Sequence, residues 1–156
     1  MNCETTTHDL DRLSDFFVAT FPHMSHGEQV LARTIYQQLV LGEPLALERL
    51  AGMNNQTVST VKEALEKWGG TFYNDNEEII GFWGIAVGET PHRMQINGIS
   101  SYAWCAWDTL FIPELVGATT PVNTTCTTTK KTISLAVTPQ GVCSEQTNIW
   151  LSFLLP

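Results

Sequence analysis

Residues 57–87 read TVSTVKEALEKWGGTFYNDNEEIIGFWGIAV, and the hydrophobic period changes within them. Val58, Val61, Leu65 and Trp68 recur three and four residues apart, which is one face of a helix, and Gly69-Gly70 stops it. Beyond the glycines the period drops towards two. Thr71–Tyr73 and Ile79–Val87 flank NDNEE, an Asn- and Asp-rich turn, and predict a hairpin. A helix followed by a hairpin within one stretch places the chain in the α+β class.

Upstream the pattern is helical. Leu10, Leu13, Phe17 and Phe21 mark a helix over His8–Phe21, closed by Pro22. Ser25 with Glu28 three residues on is a capping-box arrangement. It opens a helix presenting Val30, Leu31, Tyr36 and Leu39 and ending near Gly42. A short helix over Pro44–Ala51 and a GMNNQ turn lead back to Thr57. Three helices and a hairpin are the order of a winged helix, with the short helix and Thr57–Trp68 as its helix-turn-helix pair. A winged-helix-like part over residues 1–90 is therefore expected.

Downstream, His92–Ile96 is a strand candidate. Ser100-Ser101 leads into YAWCAWDTLFIPELVG, whose first half predicts a serine-capped, active-site helix. Thr119–Thr125, Thr132–Thr138 and Asn148–Leu155 read as strands, so residues 91–156 should form a mixed α/β core.

The chain has 156 residues, 43% hydrophobic and 15% charged, a composition that folds rather than stays disordered. No run approaches the roughly 18 apolar residues that cross a bilayer, and the polar start MNCETTTHDLDR has no signal-peptide character. A cytoplasmic protein without a membrane partner is expected. A net charge of −8 with eight Lys and Arg argues against a nucleic-acid partner. On Thr57–Trp68, Lys62 and Lys67 are opposed by Glu63 and Glu66, which is poor for a recognition helix. Cys3, Cys105, Cys126 and Cys143 form no CxxC pair, so neither a zinc ribbon nor a thioredoxin-like motif is present.

Cys105 and Asp108 are the sharpest chemical pair. In the first turns of a helix, amide dipoles would favour a thiolate at Cys105, and Asp108 would share its face. Tyr102, Trp104 and Trp107 supply apolar surroundings, which favour the neutral form of a carboxyl. A soft sulfur beside a proton-carrying carboxyl suits capture of a soft metal and protonation of its partner. A cysteine in an aromatic-rich helix is also ordinary core, and spacing alone leaves both readings open. His23 and His26 lack a third metal ligand, and Gly81, Gly84 and Gly88 form no phosphate loop.

The segment Tyr102-Ala103-Trp104-Cys105-Ala106-Trp107-Asp108-Thr109-Leu110, continuing through Phe111–Gly117, resembles the active-site segment of the organomercurial (alkylmercury) lyases. The resemblance extends more loosely to Cys126, Ile133–Pro139 and Leu151–Pro156, and upstream to the helix-rich N-terminus and Ile79-Ile80-Gly81. It implies cleavage of the carbon–mercury bond of R–Hg⁺, giving R–H and Hg²⁺. Cys105 then takes the place of the first catalytic thiolate and Asp108 that of the proton-handling aspartate, both at the metal. No cofactor is implied, mercury being substrate and product. Small thiols and a mercuric reductase are the implied receivers of Hg²⁺. Cys126 looks like a further family cysteine, expected to be buried and structural; Cys3 and Cys143 match nothing. The family's second catalytic cysteine falls downstream of the segment resembled by Leu151–Pro156, where this sequence stops. A fragment that binds mercury and turns over poorly is therefore expected. The competing readings are a winged-helix DNA-binding or metal-sensing module, and an inactive mercury-binding relative.

Overall fold

Ser25 and Glu28 close the box that the sequence predicts: Ser25 Oγ accepts the Glu28 amide at 3.3 Å, and Glu28 Oε2 accepts the Ser25 amide at 2.8 Å. In the computed structural model, which describes residues 15–16, 18–20, 22–138 and 140–151, this cap opens helix α1 (His26–Leu39). Its inward stripe is Leu31, Ile35 and Leu39, flanked by Ala32 and Tyr36, while Val30 faces solvent. Residues 15–16 and 18–20 are helical, and the rest of the predicted helix over residues 8–21 lies outside the described residues.

Helix α2 (Leu47–Met53) begins three residues later than expected. Leu45 is drawn into a β-bridge with Ile79, each amide donating to the other's carbonyl at 2.9 Å, so the helix starts only beyond Ala46. Helix α3 (Val58–Trp68) is capped by Thr57, whose hydroxyl accepts the Thr60 amide, and ends at Gly69 with φ +68°. It buries Val61, Leu65 and Trp68.

The strands are β1 (Thr71–Tyr73), β2 (Ile79–Phe82), β3 (Ile85–Ala86), β4 (His92–Ile96), β5 (Ile99–Ala103), β6 (Thr120–Thr125), β7 (Thr132–Thr138) and β8 (Gly141–Cys143). They form one antiparallel sheet in the order β1-β2-β3-β5-β4-β6-β7-β8. Two features correct the sequence reading. The predicted strand over residues 79–87 is folded in two by a turn at Trp83-Gly84, with φ +34° and +94° and Phe82 opposite Ile85. Positive φ at both turn positions is what a tight I′-type hairpin requires.

The second correction concerns Ser100 and Ser101, which cap no helix. Asn97-Gly98, at φ +52° and +82°, reverses the chain so that Ile99–Ala103 pairs residue for residue with β4. Ser101 is buried in that strand and donates to the Val40 carbonyl at 2.7 Å. The helix of this region, α4, is displaced to Asp108–Leu115. Residues 148–151 carry no strand, and the end of the predicted strand, residues 152–155, lies outside the described residues.

A single hydrophobic cluster joins Ile35, Leu39, Leu50 and Leu65 from the helices to Ile79, Phe82, Ile85, Met94 and Ile96 from the sheet. Ile112 of α4 closes it from the side of β4 and β7. The wall beside the β2–β3 turn is aromatic: Phe82 stacks on Trp83 at 4.7 Å and meets the Tyr36 ring edge-on at 5.4 Å.

Candidate active site

Strand β5 ends at Ala103, which is opposite both Ile85 and His92, so the chain leaves the middle of the sheet there. The Trp104 amide donates to the Gly84 carbonyl at 2.7 Å, tying the exit to the β2–β3 turn. Trp104–Trp107 form a turn, and Asp108 opens α4. Cys105 thus precedes the helix rather than occupying its first turns. The expected dipole support for a thiolate does not apply there.

What the local chain does create is a contact between the two predicted residues. Asp108 folds back so that its Oδ2 accepts the Cys105 amide at 2.9 Å. On its other side the carboxyl lies over Gly84: a Cβ on that glycine would sit 2.5 Å from both Cγ and Oδ1 of Asp108. Glycine is therefore needed at position 84 twice, for its φ and for the carboxyl's space. Tyr36 supports the same turn, its hydroxyl donating to the Trp83 carbonyl at 2.8 Å. Burial, with the charge of Asp108 adding to it, pushes the Tyr36 hydroxyl well above its ordinary pKa, so it remains a donor.

Cys105 is exposed as a residue, yet its sulfur is set partly against protein. That partial burial, then the hydrogen bond and negative charge of Asp108, hold the thiol above its ordinary pKa. Cys105 is consequently a thiol that ionises when something replaces its proton, as a metal does.

Cys105 lines a cleft of about 330 Å³ together with His92, Trp107, Thr124, Cys126 and Trp150. The His92 Nδ1 hydrogen-bonds to the Thr124 hydroxyl across the β4–β6 pairing. Burial lowers the His92 pKa, and the Asp108 charge opposes that shift. Cys126 corrects its sequence reading, being half-buried at the cleft rather than sealed in the core. It follows β6, and its Sγ accepts the Thr129 amide at 3.4 Å. Hydrogen bonding from the Thr129 side chain, then from the Thr129 and Thr128 amides, and more weakly the Lys130 charge, lower the Cys126 pKa.

The remaining candidates stay apart. Cys143 is exposed in β8, and Cys3 lies outside the described residues. Among the described residues no three His, Cys, Asp or Glu side chains are grouped to hold a metal ion. A larger, mainly apolar groove of about 660 Å³ between α1 and α4, reaching Tyr36 and Trp83, contains neither Cys105 nor Asp108. On α3, Lys62 pairs with Glu77 at 3.6 Å and Lys67 with Glu28 at 2.8 Å. Sequence reasoning overlooked Gly84, His92 and Thr124, which strand pairing brings to the site, and Tyr36, which the packing of α1 brings there.

Comparison with known proteins gives this geometry a context. Residues 85–156 match the family described as MerB: Alkylmercury lyase. The chain is 39% identical over 138 residues to an alkylmercury lyase of Pseudomonas putida, covering 85% of this chain and 63% of that protein. It is 30% identical over 141 residues to the alkylmercury lyase of Staphylococcus epidermidis, covering 88% and 65% respectively. The chain thus spans less than two thirds of the length of these relatives. Its fold is that of a crystal structure of the mercury-bound form of MerB2, with a TM-score of 0.68 at 19% identity over 88% of this chain and 67% of that one.

Proposed function

We propose that this chain, which belongs to the alkylmercury lyase family, cleaves the carbon–mercury bond of organomercurials, with Cys105 taking the metal and Asp108 supplying the proton. The observation that carries this reading is the Asp108 carboxyl held against the backbone of Cys105 beside an accessible cleft. In the first step the Cys105 thiol loses its proton and forms an S–Hg bond with R–Hg⁺. Thiolate sulfur is the preferred partner of a soft metal, so the raised thiol pKa is overcome by metal binding. Electron donation from sulfur weakens the Hg–C bond. Asp108, having taken the proton that the Cys105 thiol releases, then gives it to carbon, the Hg–C electron pair becomes the C–H bond, and R–H leaves. Mercury stays on sulfur as Hg²⁺, and Asp108 is returned to a carboxylate. No cofactor enters this scheme.

The finer expectations sit within the same proposal. Residues 1–90 act as a winged-helix-like part that packs rather than reads DNA; both α3 lysines are already engaged by carboxylates. Residues 91–156 carry the chemistry. Small thiols and a mercuric reductase receive Hg²⁺ in a cytoplasmic setting. Among the described residues, no helix is long and apolar enough to cross a membrane. The test is phenylmercury protonolysis followed by benzene release, with Cys105→Ser and Asp108→Asn beside the parent chain. Benzene release that survives Cys105→Ser undiminished overturns the assignment.

A further inference from the structure

Both peptides that flank Gly84 are pinned from outside the β2–β3 turn. The Trp83 carbonyl accepts the Tyr36 hydroxyl at 2.8 Å, and the Gly84 carbonyl accepts the Trp104 amide at 2.7 Å. Between those peptides is the glycine over which the Asp108 carboxyl lies, and that carboxyl accepts the Cys105 amide at 2.9 Å. Trp104 adjoins Cys105, so its bond belongs to the site's own stretch of chain. Tyr36 reaches in from α1, 47 residues before Trp83. Its ring is buried edge-on against Phe82, a place that a phenylalanine would fill as well. What the hydroxyl adds is a grip on one peptide of the turn, next to a Trp83 that holds φ +34°. The charge of Asp108 is felt at that hydroxyl, so the two groups are electrostatically close.

We infer that the Tyr36 hydroxyl positions the proton donor: by fixing the Trp83–Gly84 peptide it sets the Asp108 carboxyl against the Cys105 amide. This rests on the lyase reading above and gives the reaction a positioning residue on α1. Tyr36 neither touches mercury nor exchanges its own proton, which burial and the Asp108 charge keep in place. Without the hydroxyl, the Trp83 carbonyl loses that donor, and a turn with two positive φ angles can rotate the peptide. The carboxyl lying on Gly84 then shifts relative to Cys105. Such a shift slows proton delivery and leaves metal capture by the sulfur unchanged.

Tyr36→Phe removes the hydroxyl alone. Ser101→Ala is its control, deleting another buried hydroxyl that donates to a backbone carbonyl, that of Val40, at 2.7 Å. In proton–nitrogen NMR spectra of the parent chain and its variants, Asp108→Ala marks where the Cys105 amide resonates without its acceptor. Tyr36→Phe should move that amide part of the way there, and should add nothing once Asp108→Ala is present. In a single turnover of phenylmercury, Tyr36→Phe should form the Cys105 adduct at the parent rate but release benzene more slowly. The slowing should approach the ~100-fold that misplacing a reacting group by about 1 Å costs. Ser101→Ala should change neither readout, with thermal unfolding as the check that both variants are folded. A Cys105 amide left at its parent position in Tyr36→Phe overturns the inference, as does benzene release at the parent rate or equal slowing in Ser101→Ala. Failure of the lyase reading shows separately, as a parent chain that forms no phenylmercury adduct on Cys105; the amide shift then decides the positioning role by itself.

Discussion

Asp108 is held in place by a hydrogen bond to one neighbour and by the lack of a side chain on another, and each can be altered alone. Replacing it with Asn keeps an oxygen for the Cys105 amide but removes the negative charge and the carboxyl hydrogen bond that hold the thiol up. The alkylation-rate profile of Cys105 should therefore move to lower pH in Asp108→Asn, although protonolysis is lost. A thiol that becomes more reactive while benzene release stops would separate metal capture from proton delivery. Gly84→Ala tests the other side. The new methyl group meets the Asp108 carboxyl at 2.5 Å, and alanine resists φ +94°. A strained backbone position typically costs about 1–3 kcal/mol. Unfolding measurements should show a loss of that order, together with reduced protonolysis. Cys105 and Asp108 were legible in the sequence because their chemistry and spacing are local. Gly84 was visible only as a hairpin glycine, since nothing local places it under a residue 24 positions away.

At the scale of elements, the Ser25 box was readable because a helix end is written within four residues. Ser25→Ala should destabilise the chain by about 1 kcal/mol, the usual worth of an N-cap side chain, measured by thermal unfolding. Glu28 adds a pH signature. Lys67, then the Ser25 amide, lower its pKa from 4.5 to about 2, so its contribution is complete above the higher value, declines as pH falls, and is gone below the lower one. Glu28→Gln should flatten that part of the acid-unfolding curve. The displaced helix around Cys105 has an equally local cause. Asn97-Gly98 is a strong hairpin signal and stood in the sequence, but the serines after it were read as a cap. Ladder pairing with β4 then committed Ile99–Ala103 to a strand and left Trp104–Trp107 as the turn that presents Cys105.

Across the whole molecule, strand segments were easier to read than their order. The bounds of β4 and β7 matched the alternation of residues, yet nothing in that alternation says that β3 pairs with β5 or that β4 lies between β5 and β6. Those pairings bring His92 and Thr124 to the cleft and set the Trp83-Gly84 turn beside Asp108. Because one hydrophobic cluster joins the strands from β2 to β7 with the helices, core damage should be felt at the site. Phe82 is fully buried, touching the rings of Tyr36, Trp68 and Trp83. Phe82→Ala should cost about 3–5 kcal/mol and melt helix and sheet signals together.

The claim on which the account turns is that mercury is taken by Cys105 and the proton comes through Asp108. A single turnover of phenylmercury, followed by intact-protein mass spectrometry and benzene detection, tests both halves at once. The parent chain should pass through a phenylmercury adduct on Cys105 and release benzene. Asp108→Asn should hold that adduct without releasing benzene, and Cys105→Ser should form neither. An adduct and benzene yield in Cys105→Ser equal to those of the parent would contradict the account.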